Sequence, residues 1–307
     1  MSHVLILMAT HNGEAFLGEQ LDSIAAQDHR NWSLAVSDDA SADRTRSILD
    51  DFRRSRPAGQ VMLLDGPGQG GATGNFRSLL RRVAAKDSHL AFCDQDDVWD
   101  ADHLSRGIDA LSRLSNPLGV YGCRMRICDA ELRLVGLSPR PRRPLGFRNA
   151  LVQNVLSGNT MILTPQAADL LARAEPEAGP VPVHDWWAYQ LVTGAGGAAV
   201  WDAVPGISYR QHGANVIGAN RGLRTLPARL RRHLQGNHRQ WALQNAAALR
   251  ASAHRLVPEN RQRLEAFAQA LSAPMAGKLR ALRRSGAYHQ GALANAAFLA
   301  AVLLGRF

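Results

Sequence analysis

This sequence of 307 residues predicts an α/β fold: an open, mixed but mostly parallel sheet flanked by helices, followed by a helical extension. Three observations carry that prediction. Unbroken apolar runs, as at residues 4–9 and 90–93, alternate with segments whose apolar side chains recur at helical spacing. Strands of that kind are covered on both faces, as parallel strands are. Polar and acidic residues gather just after those runs, at the strand ends where open α/β sheets place ligands. Beyond residue 217 the chain turns basic and helical.

Residues 4–9 predict the first strand. Leu17, Leu21 and Ile24 then mark a helix and residues 32–36 a second strand, a βαβ unit whose crossover is right-handed. Thr45, Ile48, Leu49 and Phe52 give a second helix, and residues 61–64 a third strand. Residues 66–74 are too rich in glycine for regular structure and form either a lid over a substrate or a long connection. Phe76, Leu79, Leu80 and Val83 define a third helix, which leads to the strand before Asp94; Leu104, Ile108 and Leu111 define a fourth. Residues 118–137 predict a strand pair, 138–144 a basic, proline-punctuated connection, and 157–163 a further strand. A helix follows near 166–173, another opens over 181–187, and residues 198–204 and 207–209 give two last short strands.

Charge divides the chain. Residues 1–219 carry 21 Lys+Arg against 24 Asp+Glu (net −3), and residues 220–307 carry 15 against 2 (net +13), which together make the overall +10. A tail so basic suits an anionic partner, membrane lipid or nucleic acid. In it Leu223, Leu226, Leu230 and Leu234 alternate with Arg224, Arg229, Arg231 and Arg232. The apolar run 292–304 is interrupted by Asn295 and is shorter than the ~20 residues a spanning helix needs. It can lie in a bilayer interface, pack on the preceding domain or mediate self-association. Cys93, Cys123 and Cys128 form no C-x-x-C pair, which argues against a disulfide framework or zinc site and for a reducing cytosol. The apolar run within the first ten residues is too short for a signal h-region with its charged flank and predicts a first strand.

The chemistry concentrates in Asp94, Asp96 and Asp97, three carboxylates within four residues. Charges so close raise each other's pKa unless a cation sits among them. Oxygen ligands suit Mg²⁺ or Mn²⁺, which share their shell with substrate phosphates. The plain alternative is an acidic turn before the next helix.

Four stretches in order, residues 9–14 (Ala-Thr-His-Asn-Gly-Glu), 37–43 (Ser-Asp-Asp-Ala-Ser-Ala-Asp), 94–99 (Asp-Gln-Asp-Asp-Val-Trp) and 184–187 (His-Asp-Trp-Trp), resemble the signature set of the family 2 glycosyltransferases. The resemblance covers roughly residues 3–217, and the continuations at 93–99 and 209–218 are most similar to bacterial rhamnosyltransferases of surface-polysaccharide assembly. It implies the GT-A fold, the nucleotide-diphospho-sugar transferase fold, with Mg²⁺ or Mn²⁺. By position, Thr10, Asn12 and Glu14 would meet the nucleoside. The second carboxylate of the Asp38-Asp39 pair would accept from a pyrimidine N–H, which suits a UDP- or dTDP-sugar. Asp94 would hold the ribose or a metal-bound water, and Asp96 the metal, with Asp97 a structural partner. His212 would add a metal or phosphate contact, and Arg210 would hold phosphate. Asp185 would be the general base on the acceptor hydroxyl, in a direct displacement that inverts the anomeric carbon. Trp186 and Trp187 would wall the acceptor site.

Bland readings stand beside each: a βα loop for Thr10 to Glu14, a helix N-cap for Asp185, a solvated histidine for His212, and core packing for the tryptophans. Departures from the family occur at 121–124 (Tyr-Gly-Cys-Arg), where many relatives carry Ser-Asp, and at Ala101, where proline is common. The expected organisation is a catalytic domain over 1–217 and a basic helical region over 218–307 for membrane-surface or partner association, a homo-oligomer included. The acceptor expected is a saccharide or lipid-linked saccharide at the inner face of the cytoplasmic membrane, with no nucleic acid as partner. A nucleotidyltransferase would need a glycine-rich loop after the first strand, of which residues 10–13 are a poor version, and no G-x-G-x-x-G supports a dinucleotide site. A nucleic-acid-binding protein would explain the tail through phosphate contacts and leave the acidic cluster without purpose.

Overall fold

The first apolar run becomes β1 (Val4–Thr10), which pairs in parallel with β2 (Trp32–Asp38) on one side and β4 (His89–Cys93) on the other; β3 (Val61–Asp65) lies outside β2. The crossovers are α1 (Leu17–Ala25), α2 (Thr45–Arg54) and α3 (Ala72–Arg82). Each helix turns its apolar stripe inward: Leu17, Leu21 and Ile24; Leu49 and Phe52; Phe76, Leu79 and Leu80 are buried. Those of α1 and α2 meet Ile6, Met8, Leu34, Val36 and Ala91 in one core, while Phe76 of α3 packs edge-on against Phe92 at 5.5 Å between ring centroids; each large apolar side chain so buried contributes roughly 1.5–3 kcal/mol. This computed structural model describes residues 2–68, 71–83, 87–212 and 237–305.

Register decides where the strands end together. Val4 pairs with Trp32 and so on to Thr10 with Asp38, while Met8 pairs with Cys93. The residues after β1, β2 and β4 therefore emerge at one end of the sheet.

The sheet continues as β4-β8-β6-β9-β5 and becomes mixed. It uses β5 (Val98–Trp99), β6 (Gly119–Cys128), β8 (Ile162–Leu163) and β9 (Ala198–Arg210), with β7 (Leu134–Leu137) antiparallel to β6. Helix α4 (His103–Ser112) follows β5. Two expectations are corrected here. Residues 198–210 form one strand, not two: its pairing with β6 slips register around Pro205, which has no N–H to give the ladder. Residues 158–160 form a 3-10 turn, with Met161 N donating to Gly158 O at 2.8 Å, and only Ile162 and Leu163 are strand.

All nine described strands belong to one compact unit, comprising Met1–Arg140, Leu156–Pro176 and Gly197–Val216; it also holds α6 (Pro165–Ala174). A second unit comprises Pro141–Val155, Glu177–Gly196 and Ile217–Phe307. Its described helices are α5 (Phe147–Ala150), α7 (His184–Gly194), α8 (Asn237–Ala251), α9 (Pro258–Ser272), α10 (Met275–Ser285) and α11 (Ala292–Leu303). The division thus differs from a single cut after residue 217, because two upstream stretches pack with the later helices. Every residue of α7 is buried, so that helix needs neighbours all round. Asn260 Nδ2 donates to Thr193 O and Gly194 O at 3.1 and 3.2 Å, and Asn149 Nδ2 donates to Tyr288 O at 3.0 Å. Gly194 permits that packing, since a Cβ there would stand 2.8 Å from Leu256. The leucine-arginine pattern of residues 223–234 and the motif residues 213–218 lie outside the described residues. No described helix is long and apolar enough to cross a membrane.

Candidate active site

The end of β1 is tied to the end of β2 through side chains. Thr10 Oγ1 donates to Asp38 Oδ1 at 2.9 Å, and Ser41 Oγ donates to the same oxygen at 2.6 Å. Asp38 is therefore a loop anchor. Asp39 beside it is also buried; its N–H donates to Thr10 O at 2.8 Å and its carboxylate accepts from Gly68 N. Gly66 is required here, because a Cβ would stand 2.7 Å from Asp39 Cα. Asn75, on α3, donates from Nδ2 to Ser37 O at 2.8 Å and Thr10 O at 3.3 Å. Sequence reasoning missed it; the signal was a polar residue next to Phe76 on the buried face of α3.

Asn12 and Glu14 fasten the loop after β1 to the loop after β2. Asn12, at φ 47°, accepts on Oδ1 from Ala42 N at 2.9 Å. Glu14 accepts from Arg44 N at 3.0 Å, and its own N–H donates to Asp43 Oδ2 at 3.0 Å.

The acidic turn after β4 is held by residues from far along the chain. Asp96 Oδ2 lies 2.7 Å from His212 Nε2, and both side chains are largely covered. The His212 ring packs on Phe16 at 4.8 Å between centroids, so His212 is a fixed member of the turn. Asp97 is fully buried and accepts from Asn159 Nδ2 at 2.5 Å and from Arg210 N at 3.1 Å. Burial pushes its carboxyl well above the usual carboxylate range; Asp96 and then Asp94 add to that, and the two hydrogen bonds oppose it.

Arg210, expected at phosphate, is placed as a strut. Its Nε donates to Asp96 O at 2.9 Å, Nη1 to Ala130 O and Nη2 to Glu19 Oε2 at 2.7 Å, and the guanidinium sits 4.4 Å over the Phe16 ring. Phe16 and Asn159 carried no signal in sequence, because their partners lie far along the chain: Arg210 and His212 for Phe16, and Asp97, 62 positions away, for Asn159.

Among the described residues no group of three or more His, Cys, Asp or Glu is gathered as a ready-made metal cage. The donor chemistry still fits part of a shell. A carboxylate (Asp96) and an imidazole (His212) stand together on the turn that carries Asp94. Mg²⁺ characteristically binds one or two carboxylates and draws the rest of its shell from water and phosphate. A small cavity lined by His3, Leu5, Ser33 and Ser88 lies toward the opposite ends of the strands and takes no part in this chemistry.

In the second unit, Asp185 opens α7, where the helix dipole favours a negative charge. Its Oδ1 lies 2.6 Å from Trp186 N. Of the two readings of the tryptophans, burial favours core packing: Trp187 is 0 % and Trp186 5 % exposed. Trp186 Nε1 donates to Ala150 O at 2.6 Å and its ring meets Trp241 edge-on. Both are core residues of their unit.

Residues 5–168 match the family described as Glycosyl transferase family 2. The chain belongs to that family. Over 218 residues this glycosyltransferase is 29 % identical to the dTDP-rhamnosyl transferase RfbG of Shigella flexneri, covering 69 % of this chain and 74 % of that one. It is 32 % identical over 119 residues to the UDP-Glc:alpha-D-GlcNAc-diphosphoundecaprenol beta-1,3-glucosyltransferase WfgD of Escherichia coli, covering 39 % of this chain and 44 % of that one. Among solved structures it is similar to S. aureus TarS 1-349 in complex with UDP-GlcNAc, with a TM-score of 0.56 and 13 % identity over 92 % of this chain and 89 % of that one. It is similar too to the mannosyltransferase PcManGT of Pyrobaculum calidifontis in complex with GDP-Man and Mn²⁺, with a TM-score of 0.56 and 20 % identity over 99 % and 86 %. The fold of this family 2 glycosyltransferase is GT-A-like.

Proposed function

We propose that this glycosyltransferase is an inverting, divalent-metal-dependent enzyme. It moves a sugar, L-rhamnose in the first instance, from a dTDP- or UDP-activated donor to a saccharide or lipid-linked acceptor in surface-polysaccharide synthesis. It works at the inner face of the cytoplasmic membrane. One observation carries this reading: Thr10, Asp39 and the Asp94–Asp97 turn with His212 are brought to one end of the sheet by strand register and by long-range ties. The names of RfbG and WfgD, one a dTDP-sugar enzyme and one a UDP-sugar enzyme, support the choice of pyrimidine donors.

Each residue then has a task. Asp39 accepts from the pyrimidine ring N–H, with Thr10 and Asp38 holding it in place. Asp96, His212 and Asp94 would hold Mg²⁺ or Mn²⁺, which when bound neutralises charge developing on the departing diphosphate. Arg210 and Asp97 fix the backbone of that turn. Asp185 takes the proton of the attacking acceptor hydroxyl; that assignment rests on the family resemblance. No second nucleophile is needed, so the configuration inverts. Asp185→Asn turning over within about tenfold of wild type would remove it from the role, since general bases contribute ~10²-fold or more.

The decisive test is a thermal-shift screen of UDP-, dTDP- and GDP-sugars with and without Mn²⁺. Stabilisation of about 2.7 kcal/mol at ~100 times the dissociation constant, for a dTDP- or UDP-sugar with metal, is expected. Preference for the GDP-sugar, or binding indifferent to metal, would overturn the donor and metal assignments respectively.

A further inference from the structure

Within the second unit, two helices of similar length present opposite surfaces. On α9 the exposed residues are Pro258, Glu259, Arg261, Gln262, Glu265, Gln269 and Ser272, nearly all polar, and Leu264, Phe267 and Leu271 face inward. That is the ordinary division of a surface helix. On α11 the buried residues are Phe298 and Val302, and the exposed ones are Ala292, Leu293, Ala296 and Ala300, continued by Leu304 just past its end. These fall three or four apart, on one face. Leu293 is 78 % and Leu304 65 % exposed. The helix carries no charged residue at all, and its polar Asn295 is engaged, accepting on Oδ1 from His289 N at 3.0 Å.

The neighbour of α11 supplies charge of one sign. Helix α10 exposes Arg280, Arg283 and Arg284 beside Leu279, which is 40 % exposed. The two helices are pinned together, because Lys278 is buried and its Nζ donates to Val302 O at 3.0 Å, a cation on the carbonyl end of α11. No Asp or Glu follows Glu265 in the sequence, so none of these arginines has an acidic neighbour in this stretch. A protein partner of ordinary composition would not select for cations alone. An apolar exposed helix joined to one whose exposed charges are all cationic matches the boundary of an anionic bilayer, where acyl chains take the apolar side chains and headgroups the arginines.

We propose that the exposed faces of α10 and α11 form a docking surface for an anionic lipid membrane, laid against it without crossing. The inference shares the membrane location of the proposed function and is independent of its active-site reading, since it needs neither donor nor metal. It is tested by co-sedimentation of the full chain with phosphatidylglycerol vesicles and, separately, phosphatidylcholine vesicles. The protein should pellet with phosphatidylglycerol, be released by salt, and stay in solution with phosphatidylcholine. Arg280→Gln/Arg283→Gln/Arg284→Gln should weaken binding on the order of a hundredfold. Leu293→Gln/Leu304→Gln should weaken binding at high and low salt alike, and both variants should keep the wild-type circular dichroism and unfolding temperature because the residues changed are exposed. Equal retention on both lipids, no retention on either, or undiminished binding of both variants would overturn the proposal. So would a concentration-dependent dimer abolished by Leu293→Gln/Leu304→Gln, which would assign the face to a second copy of the chain.

Discussion

The turn 94–99 and the helix start 184–187 each set carboxylates beside tryptophan, yet the two are built differently. In the turn, acids that leave β4 side by side are held by Asn159, Arg210 and His212, all more than 60 positions away. In the helix start, Asp185 is met by the N–H next to it and sits in the favourable field of its own helix. The tryptophans nevertheless behave alike: Trp99 is 3 %, Trp186 5 % and Trp187 0 % exposed. In both places the indole is the foot that fixes a carboxylate's backbone to a core. A tryptophan next to an acid in sequence therefore marks a mounted carboxylate rather than an apolar surface for substrate.

That comparison can be broken at either stretch. Asp96→Ala removes a carboxylate from the turn while leaving its feet in place. Sugar transfer in the presence of Mn²⁺ should fall on the order of a thousandfold, with an unfolding midpoint close to wild type. Full activity would show that the turn is an acidic loop and nothing more. Trp187→Ala does the reverse, removing the foot and sparing the acid. A stability loss of about 3–5 kcal/mol is expected in urea unfolding. Trp186→Phe, which keeps a ring but loses the bond to Ala150 O, should cost about 1 kcal/mol. A raised acceptor KM with unchanged stability in Trp186→Phe would instead restore the acceptor-wall reading.

The helix start also has a pH signature. Burial lowers the His184 pKa to about 4, against an opposing pull from Asp185. In the unfolded chain it titrates near 6.5. Between those values the unfolded state binds more protons, so stability falls as pH drops from about 6.5 to 4 and is level above that window. The loss attributable to His184 is on the order of 3 kcal/mol. His184→Gln should flatten that part of the stability profile; an unchanged slope would mean that other groups, such as buried His103, carry the acid sensitivity.

The parallel half of the sheet was legible because its strands are unbroken apolar runs and its helices keep strict spacing. The positions of Asp39, Asp96 and His212 were legible because they sit at strand ends within stretches that resemble a known family. What could not be read was how the polar groups would be engaged. Arg210 looks like a phosphate ligand until Glu19, Ala130 and the Asp96 carbonyl are seen around it, partners drawn from three other loops or helices. For Trp186 and Trp187 the sequence left an acceptor wall and core packing both open, because a helix buried on every side has no periodicity to separate them. The same holds for the division into units, since residues 141–155 and 177–196 give no compositional sign that they pack with helices far later in the chain.

The smallest expected effect concerns how the loop after β1 stays aligned with the acidic turn. Gln95 Oε1 accepts from His11 N at 2.9 Å, and its Nε2 donates to His11 O at 3.0 Å, so one side-chain amide pairs with one residue of the neighbouring loop. Gly13 leaves room for it, since a Cβ there would stand 2.4 Å from Gln95 Oε1. Two such bonds at about 0.5–1.5 kcal/mol each, partly exposed, hold alignment rather than the fold. Gln95→Ala should therefore raise the donor KM about tenfold, with kcat within a few-fold of wild type and little change in unfolding. Gly13→Ala should reach the same end by pushing the amide away. Because both substitutions break one contact, Gly13→Ala/Gln95→Ala should be no worse than Gln95→Ala alone. If the two losses add instead, the glycine and the glutamine act separately and their pairing does not align the loops.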